Sequence, residues 1–157
     1  MAAPAPSFLS SRRAGPRPET TPTNPHTQLT QNAPPDLQER VLAYAAALPG
    51  VAVGPSGISV PGARAFHLPE AAREERDAFM VGREFAHLHP PADGSLHLVL
   101  PPELADPVID AGWAERHPLA GRHGVPANIV MVYGPRDEDE LRIVEELVRA
   151  SHAFASG

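Results

Sequence analysis

Three histidines fall on two short apolar runs, 79–89 and 95–100, which are separated by a turn-like segment rich in Pro and Gly. If the turn closes so that His87 lies opposite His97, both rings occupy one face of a hairpin. His89 shares that face because side chains alternate along a strand. The other face carries Ala and Leu, which fixes the register, since a slip of one residue would bury the imidazoles instead.

Imidazoles grouped in this way suit proton transfer or metal binding, because neutral histidine has a reference pKa of about 6.5 and two distinct ring nitrogens. The sequence places no carboxylate to complete a ligand set. Glu84 points to the opposite face in this register, and Asp93 lies in the turn. We therefore expect no bound transition metal. A third interpretation stays open, in which the rings are neutral polar groups on a partly solvated sheet face.

Phe85 and Val99 continue the histidine face, so the pattern predicts a pocket with an apolar floor and imidazoles at its mouth. Small-molecule sites commonly combine these features. Phe85 and His89 are accordingly predicted to contact a small-molecule ligand. Ser95 precedes His97 by two residues and points in the same direction, so the pair does not predict a hydrolase.

A second group of candidate residues follows the hairpin. Trp113 is the only tryptophan and is predicted to be a core, lid or substrate-contacting residue. His117 precedes Pro118, which holds it in extended backbone and would fix its imidazole in a loop. Tyr133 and Arg136 lie where a strand meets the last helix. Arg136 either clamps a carboxylate or enolate oxygen of a ligand or forms an ordinary surface ion pair.

The sequence patterns around these residues predict the helices and strands of an α+β domain over residues 36–157. It consists of an antiparallel sheet with an N-terminal helix, a short middle helix and a C-terminal helix packed on it. Capping patterns predict that the first helix begins at Asp36 and that the last is capped by Asp137. Asp106 is the predicted cap of the middle helix. Strands are expected at 51–53, 58–60, 63–68, 79–89, 95–100 and 128–133, with a loop or one helical turn at 69–76.

Residues 1–35 contain eight of the twenty prolines and almost no large apolar side chains. This composition predicts a disordered tail whose removal leaves the domain folded. His26 in the tail and His152 near the C-terminus are expected to lie outside any site.

The whole chain has 157 residues, a net charge of −6 and no cysteine. Thiol catalysis is thereby excluded, and nucleic acid is an unexpected partner for a moderately acidic chain. No apolar run is long enough to span a bilayer, and the start lacks the pattern of a secretory signal. A cytoplasmic protein with a small-molecule partner, and without a membrane partner, is expected.

Several motifs occur in one order along residues 79–154. They are Arg83 to His89, Ser95 to Leu98, Gly112-Trp113, Arg116-His117-Pro118-Leu119-Ala120-Gly121, Tyr133-Gly134-Pro135-Arg136 and Ala150-Ser151. In this order they resemble the luciferase domain of bioluminescent fungi. The resemblance implies an oxygen-dependent oxidation of a hydroxylated styrylpyrone, with loss of carbon dioxide and emission of light.

With this resemblance the sequence supports two hypotheses. In the first, the chain is a cofactor-independent oxygenase of a small enolisable aromatic or pyrone, with molecular oxygen as co-substrate. His87, His97 and His117 then act together, with neutral imidazole as the base. His89, Phe85, Trp113, Tyr133 and Arg136 line the substrate site. In the second hypothesis, the chain is a non-catalytic small-molecule-binding or interaction module that keeps the pocket.

Overall fold

The computed structural model describes residues 6–70 and 76–157. These residues form an α+β fold with a six-stranded antiparallel sheet and three α-helices. The strands are β1 (Ala52–Pro55), β2 (Arg64–His67), β3 (Glu84–Leu88), β4 (Leu96–Val99), β5 (Ala114–Arg116) and β6 (Ile129–Val132), in the sheet order β1-β2-β3-β4-β6-β5. The helices are α1 (Pro35–Ala46), α2 (Pro102–Asp110) and α3 (Glu138–Ser156).

Helix α3 follows its sequence pattern closely. The Asp137 carboxylate accepts a hydrogen bond from the Glu140 amide at 2.9 Å, so the predicted cap is confirmed. The predicted buried stripe is also confirmed; it consists of Leu141, Val144, Leu147, Val148 and Ser151. This stripe packs on β3 and β4, and α1 packs beside α3.

The other two helices begin at prolines rather than at the predicted caps. Helix α1 starts at Pro35, and no side chain caps it. Helix α2 starts at Pro102 and carries Pro107 in its interior, so the predicted start at Asp106 is wrong. Proline at the first helical position loses no intrahelical hydrogen bond, and its fixed φ suits the helix. That preference outweighs the acidic cap residues in both helices.

Two short segments differ from the predicted strands. The predicted strand at 58–60 is wrong, because Ile58 and Val60 lie in an exposed bend between Gly57 and Pro61. Strand β5 was not predicted, and it pairs with β6 at the edge of the sheet. The prediction of a loop or helical turn at 69–76 falls largely on residues 71–75, outside the described residues.

The two faces of the sheet are covered by different parts of the chain. Helices α1 and α3 cover one face and bury aliphatic side chains such as Val41, Leu98 and Leu147. Residues 6–34, called the arm below, run past the β5 edge and over the histidine face. The sequence predicted disorder for residues 1–35, whereas the structure gives the described residues of the arm hydrogen bonds to the rest of the chain.

Most of the arm is held by polar contacts, although Leu9 near its start is buried in the hydrophobic core and Phe8 packs against that core. The Gly134 amide donates to Gln28 Oε1 at 3.1 Å, and Asn32 Nδ2 donates to the Asp93 carbonyl at 2.8 Å. The Arg13 amide donates to the Ala111 carbonyl at 2.9 Å. These contacts replace water around the backbone of a segment that has little apolar surface to bury.

Candidate functional site

The hairpin β3–β4 has the predicted register. His87 lies opposite His97, and the His89 amide donates to the Ser95 carbonyl at 2.9 Å. All three imidazoles lie on the arm-covered face and are at most 4% exposed. The leucines of both strands are buried on the helix-covered side, so the apolar pattern does fix which face carries the histidines.

A β-bulge at Phe85 changes the neighbours of the histidines. Phe66 of β2 pairs with Ala86, whereas the next residue, His67, pairs with Glu84, so Phe85 has no partner. An extra residue in one strand reverses the alternation of side chains on either side of it. Phe85 therefore points away from the predicted pocket and packs edge-on against His152 of α3, with ring centroids 5.8 Å apart.

The same bulge turns Glu84 onto the histidine face, which corrects the premise on which a metal was excluded. Glu84 Oε2 lies 2.8 Å from His87 Nδ1. Ser56 Oγ donates to Oε2 at 2.7 Å, and the Gly57 amide donates to Oε1 at 2.9 Å. Burial alone raises the pKa of Glu84, but the hydrogen bonds from His87, Ser56 and Gly57 outweigh it and lower the pKa overall.

Asp93 is the second carboxylate beside the histidines. Asp93 Oδ1 accepts from the Ser95 amide and hydroxyl at 2.9 and 2.5 Å. Asp93 Oδ2 lies 3.3 Å from His89 Nδ1, which also lies 2.9 Å from Ser95 Oγ. The turn that joins β3 to β4 thus supplies a buried carboxylate to the outer side of His89.

The arm adds a fourth imidazole, that of His26, to the cluster. This ring also contacts a third carboxylate, that of Glu115 in β5. His26 is 3% exposed, and its ring stacks on His97 with centroids 5.0 Å apart. His26 Nδ1 lies 2.9 Å from His97 Nε2, and His26 Nε2 lies 2.9 Å from Glu115 Oε2. The prediction that His26 lies outside the site is therefore wrong. A single histidine in a polar, Pro-rich segment carries no periodicity that could have indicated this contact.

Three imidazole nitrogens meet at the centre of the cluster. His97 Nδ1 lies 3.1 Å from His87 Nε2 and 3.0 Å from His89 Nε2. Burial lowers the pKa of His87, and burial with four neighbouring imidazoles lowers that of His97 well below its usual value. Both rings are therefore neutral at pH 7.

His117 forms the side of the site, as its position before Pro118 suggested. Its Nδ1 accepts a hydrogen bond from the Leu119 amide at 3.0 Å, which leaves the ring proton on Nε2. The ring packs edge-on against His97, with centroids 4.8 Å apart. Burial and the nearby imidazoles lower the pKa of His117 to about 4, so it too is neutral at pH 7.

These rings line a cavity of about 390 Å³. Its polar lining includes His26, His87, His89, His97, His117 and Asp93, and its apolar lining includes Ile58, Val60, Leu119, Val125 and Ile129. Ile58 and Val60, which were predicted to lie in a strand, form part of the cavity wall. This position accounts for their exposure. A cavity of this size and mixed lining accommodates an aromatic molecule of one or two rings.

The remaining predicted ligand contacts support the arm instead of lining the cavity. Trp113 Nε1 donates to the Ser11 carbonyl at 3.2 Å, and the Tyr133 hydroxyl donates to Glu115 Oε1 at 2.8 Å. Arg136 does clamp a carboxylate, but it is that of Glu140, to which its Nε and Nη2 donate. Nη2 also donates to the Ala14 carbonyl at 2.8 Å. All three side chains lie at the junction of arm and sheet.

The structure defines an α+β domain with a histidine-lined cavity, and comparison with known proteins shows which family it resembles. Residues 82–151 match the family model described as the luciferase domain. Similar proteins are the luciferases of Armillaria gallica, Armillaria mellea and Neonothopanus nambi, which are 44%, 42% and 45% identical over 74 residues. Residues 82–151 of this chain thus resemble the luciferase domain of the fungal luciferases.

The matched region is only a part of this chain and only a part of each relative. It covers 46% of this chain and 28% of each relative, so the chain matches little more than a quarter of the luciferases' length. Four histidines of the cavity lie within residues 82–151, whereas His26 and the arm lie outside them. No solved structure matches the chain. Among the described residues, no helix is both long and apolar enough to cross a membrane.

Proposed function

We propose that this chain is an oxygen-dependent oxidoreductase that acts on a small enolisable hydroxy-aromatic or pyrone. The observation that carries the proposal is the cavity of about 390 Å³ with unprotonated imidazole nitrogens on its wall. The resemblance of residues 82–151 to fungal luciferases supports the reaction class. The similar proteins carry the name luciferase. The proposal is that this chain acts on a substrate of the same class.

The proposed reaction begins with removal of the substrate's hydroxyl proton. An imidazole nitrogen of His87 or His97 takes the proton, which leaves an electron-rich enolate. The His117 Nε2–H donates a hydrogen bond to the oxygen that gains charge. Molecular oxygen then forms a bond with the enolate carbon, which is oxidised as oxygen is reduced. Neutral imidazoles suit the first step because one of the two ring nitrogens carries no hydrogen and can accept the substrate's proton.

Oxygen consumption with a hydroxylated styrylpyrone tests the proposal directly. His87→Ala, His97→Ala and His117→Ala should each lower the rate by about a hundred- to ten-thousand-fold, the usual effect of losing a general base or acid. His123→Ala is the matched control, since His123 lies exposed in the loop beyond Leu119. If the wild-type chain binds the pyrone but consumes no oxygen above the buffer rate, the proposed oxidation is wrong.

One observation favours the alternative of a non-catalytic binding module. The central nitrogens of His87 and His97 lie within hydrogen-bond distance of each other, so a pre-formed polar wall exists without any substrate. A module of this kind would bind the pyrone in calorimetry at a ratio of one to one. The His117→Ala variant would then change the affinity, while no oxygen would be consumed by either protein.

A further inference from the structure

The hydrogen bonds on the outer side of the histidine cluster determine where its protons lie. A carboxylate only accepts hydrogen bonds, so a ring nitrogen beside it must carry the hydrogen. His87 Nδ1, at 2.8 Å from Glu84 Oε2, is therefore the protonated nitrogen of that ring. In a neutral imidazole the other nitrogen is then bare. His87 Nε2, which faces the centre of the cluster, is thus an unprotonated lone pair.

The same argument applies to His89. The Ser95 hydroxyl donates its only hydrogen to Asp93 Oδ1 at 2.5 Å, so its oxygen accepts from His89 Nδ1 at 2.9 Å. Asp93 Oδ2, 3.3 Å from the same nitrogen, requires the hydrogen there as well. His89 Nε2 is consequently the second bare nitrogen that faces the centre.

For His97 the constraint passes through the arm. His26 Nε2 donates to Glu115 Oε2 at 2.9 Å, so His26 Nδ1 is an acceptor. His97 Nε2, 2.9 Å away, must then be the donor of that pair. His97 Nδ1 is left bare, and it lies 3.1 and 3.0 Å from the bare nitrogens of His87 and His89.

Three lone pairs therefore converge with no hydrogen among them, an arrangement that is repulsive unless a cation lies between them. We propose that His87, His89 and His97 bind one divalent first-row transition-metal ion through His87 Nε2, His89 Nε2 and His97 Nδ1. Nitrogens that each lie about 2.1 Å from a common metal are roughly 3.0 to 3.4 Å apart. The separations of 3.1 and 3.0 Å from His97 Nδ1 match that spacing, and the three residues offer ligand atoms within 4.8 Å of one another.

The surroundings of the three nitrogens are those of a metal centre. Each ligand ring donates its outer N–H toward a carboxylate, directly for His87 and His89 and through His26 for His97. Such outer partners fix the tautomer and raise the basicity of the ligand nitrogen. Imidazole ligands suit zinc, iron, nickel and copper rather than magnesium or calcium. Coordination positions without a protein ligand would face the cavity, where a substrate oxygen could occupy them.

A second group of rings is close enough for a metal but has the wrong protons. His26, His97 and His117 also place nitrogens within 4.8 Å of one another. However, both nitrogens of His26 are already committed to Glu115 and His97, and His117 carries its hydrogen on Nε2. The hydrogen-bond pattern thus selects one of the two groups.

Metal binding is measured on the full chain without any substrate. After treatment with a chelator and dialysis, the protein is titrated with Zn²⁺ by calorimetry and with Co²⁺ by visible absorption, which reports the coordination geometry. We expect one ion per chain. His87→Ala, His89→Ala and His97→Ala should each weaken binding by at least about a hundredfold, and His123→Ala should leave it unchanged.

A further variant separates a metal site from a general loss of structure. Glu84→Gln keeps a hydrogen-bonding group beside His87 but removes the negative charge, and it should weaken binding by about ten- to a hundredfold. Circular dichroism shows whether each variant is folded. If the folded wild-type chain binds neither Zn²⁺ nor Co²⁺, or if binding is equally tight in all folded histidine variants, the proposed metal site is wrong.

This inference concerns the cavity of the proposed function. With an ion bound, His87 Nε2 and His97 Nδ1 are its ligands and cannot take the substrate's proton, so the base of the proposed reaction applies to the metal-free chain. The two proposals fail in different experiments. A chain that binds one metal ion and consumes no oxygen with the pyrone retains the metal site and loses the oxidation. A chain that oxidises the pyrone at an unchanged rate after chelation, and binds no added metal, retains the oxidation and loses the metal site.

Discussion

The two faces of the sheet are covered by segments that fold for different physical reasons. Helices α1 and α3 cover one face through aliphatic contacts, and the arm covers the other through hydrogen bonds to a few side chains and amides. Apolar burial is non-directional and tolerates small shifts, whereas each polar contact of the arm requires a particular partner. The helix-covered face therefore supplies stability, and the arm-covered face supplies a cavity with defined proton positions.

Deletion of residues 1–33 tests this difference most strongly. It exposes the histidine face and removes the hydrogen bonds that the arm makes with Glu115, Asp93 and Gly134. Since each lost hydrogen bond costs about 1 kcal/mol, we expect the melting temperature to fall by more than about 10 °C. The truncated chain should still show secondary structure in circular dichroism. An unchanged melting temperature would mean that the arm does not stabilise the domain and that the sequence-based prediction of a dispensable tail is right.

Leu147→Ala is the corresponding change on the helix-covered face. Leu147 is fully buried under the sheet, and removal of a buried Leu side chain typically costs about 2 to 5 kcal/mol. Denaturant unfolding should show this loss, whereas metal or pyrone affinity in the folded protein should stay the same. A large change in affinity would show that the two faces are coupled more tightly than their separate contacts indicate.

Glu115→Gln sharpens the comparison on the arm side. Glu115 accepts hydrogen bonds from Arg17, Thr20, His26 and Tyr133. The variant should lower the free energy of unfolding at pH 7 by about 2 to 3 kcal/mol, as expected for hydrogen bonds to a charged group. Glu138→Gln is the control, because Glu138 forms only an exposed ion pair with Arg40 and such pairs contribute little.

The loss of stability caused by Glu115→Gln should depend on pH in a defined direction. Burial raises the pKa of Glu115, but the hydrogen bonds and the Arg17 charge outweigh it, so the folded-state pKa lies below the ordinary value of 4.5. The stabilisation is therefore fully present above pH 4.5 and is lost as the pH falls through the lowered folded-state pKa. The difference between wild type and Glu115→Gln should shrink in acid. A constant difference down to pH 2 would contradict the assignment.

His26→Ala should have the smallest effect of the series on stability, about 1 to 2 kcal/mol, because one buried hydrogen-bond partner of His97 is lost. Its effect on the site should be more specific. Without His26 the tautomer of His97 is no longer determined, so metal affinity should fall. His152→Ala is a suitable comparison, since His152 bonds to the Pro49 carbonyl on the other side of the sheet. Equal metal affinities in the two variants would contradict the role of the arm in the site.

The sequence predicts the parts of the fold that depend on apolar periodicity. The spacing of residues such as Leu141 and Val144 indicated the buried face of α3. The leucines of the hairpin indicated its buried face and the register that pairs His87 with His97. It did not predict the bulge at Phe85, because a bulge needs only one unpaired residue and has no requirement for a particular side chain there. The prediction therefore placed each of Glu84 and Phe85 on the wrong face of the sheet.

The sequence indicated the cavity histidines that lie on regular strands and one that lies before a proline. His87, His89 and His97 follow from strand alternation, and His117 follows from its place before Pro118. His26 and Glu115 could not be found in this way, since their contact joins residues 89 positions apart through a segment without periodicity. Trp113, Tyr133 and Arg136 were predicted to contact a substrate, whereas their hydrogen bonds lie at the junction of arm and sheet.

The contacts of the arm also have a consequence for the order in which the protein is made. His26 meets His97 across 71 residues of sequence, and Gln28 meets Gly134 across 106. At a synthesis rate of about 5 to 20 residues per second, Gln28 leaves the ribosome roughly 5 to 20 seconds before Gly134. The arm therefore remains without its partners during most of translation. The cavity can therefore be closed by the arm only after the much later residues that bind the arm have been made.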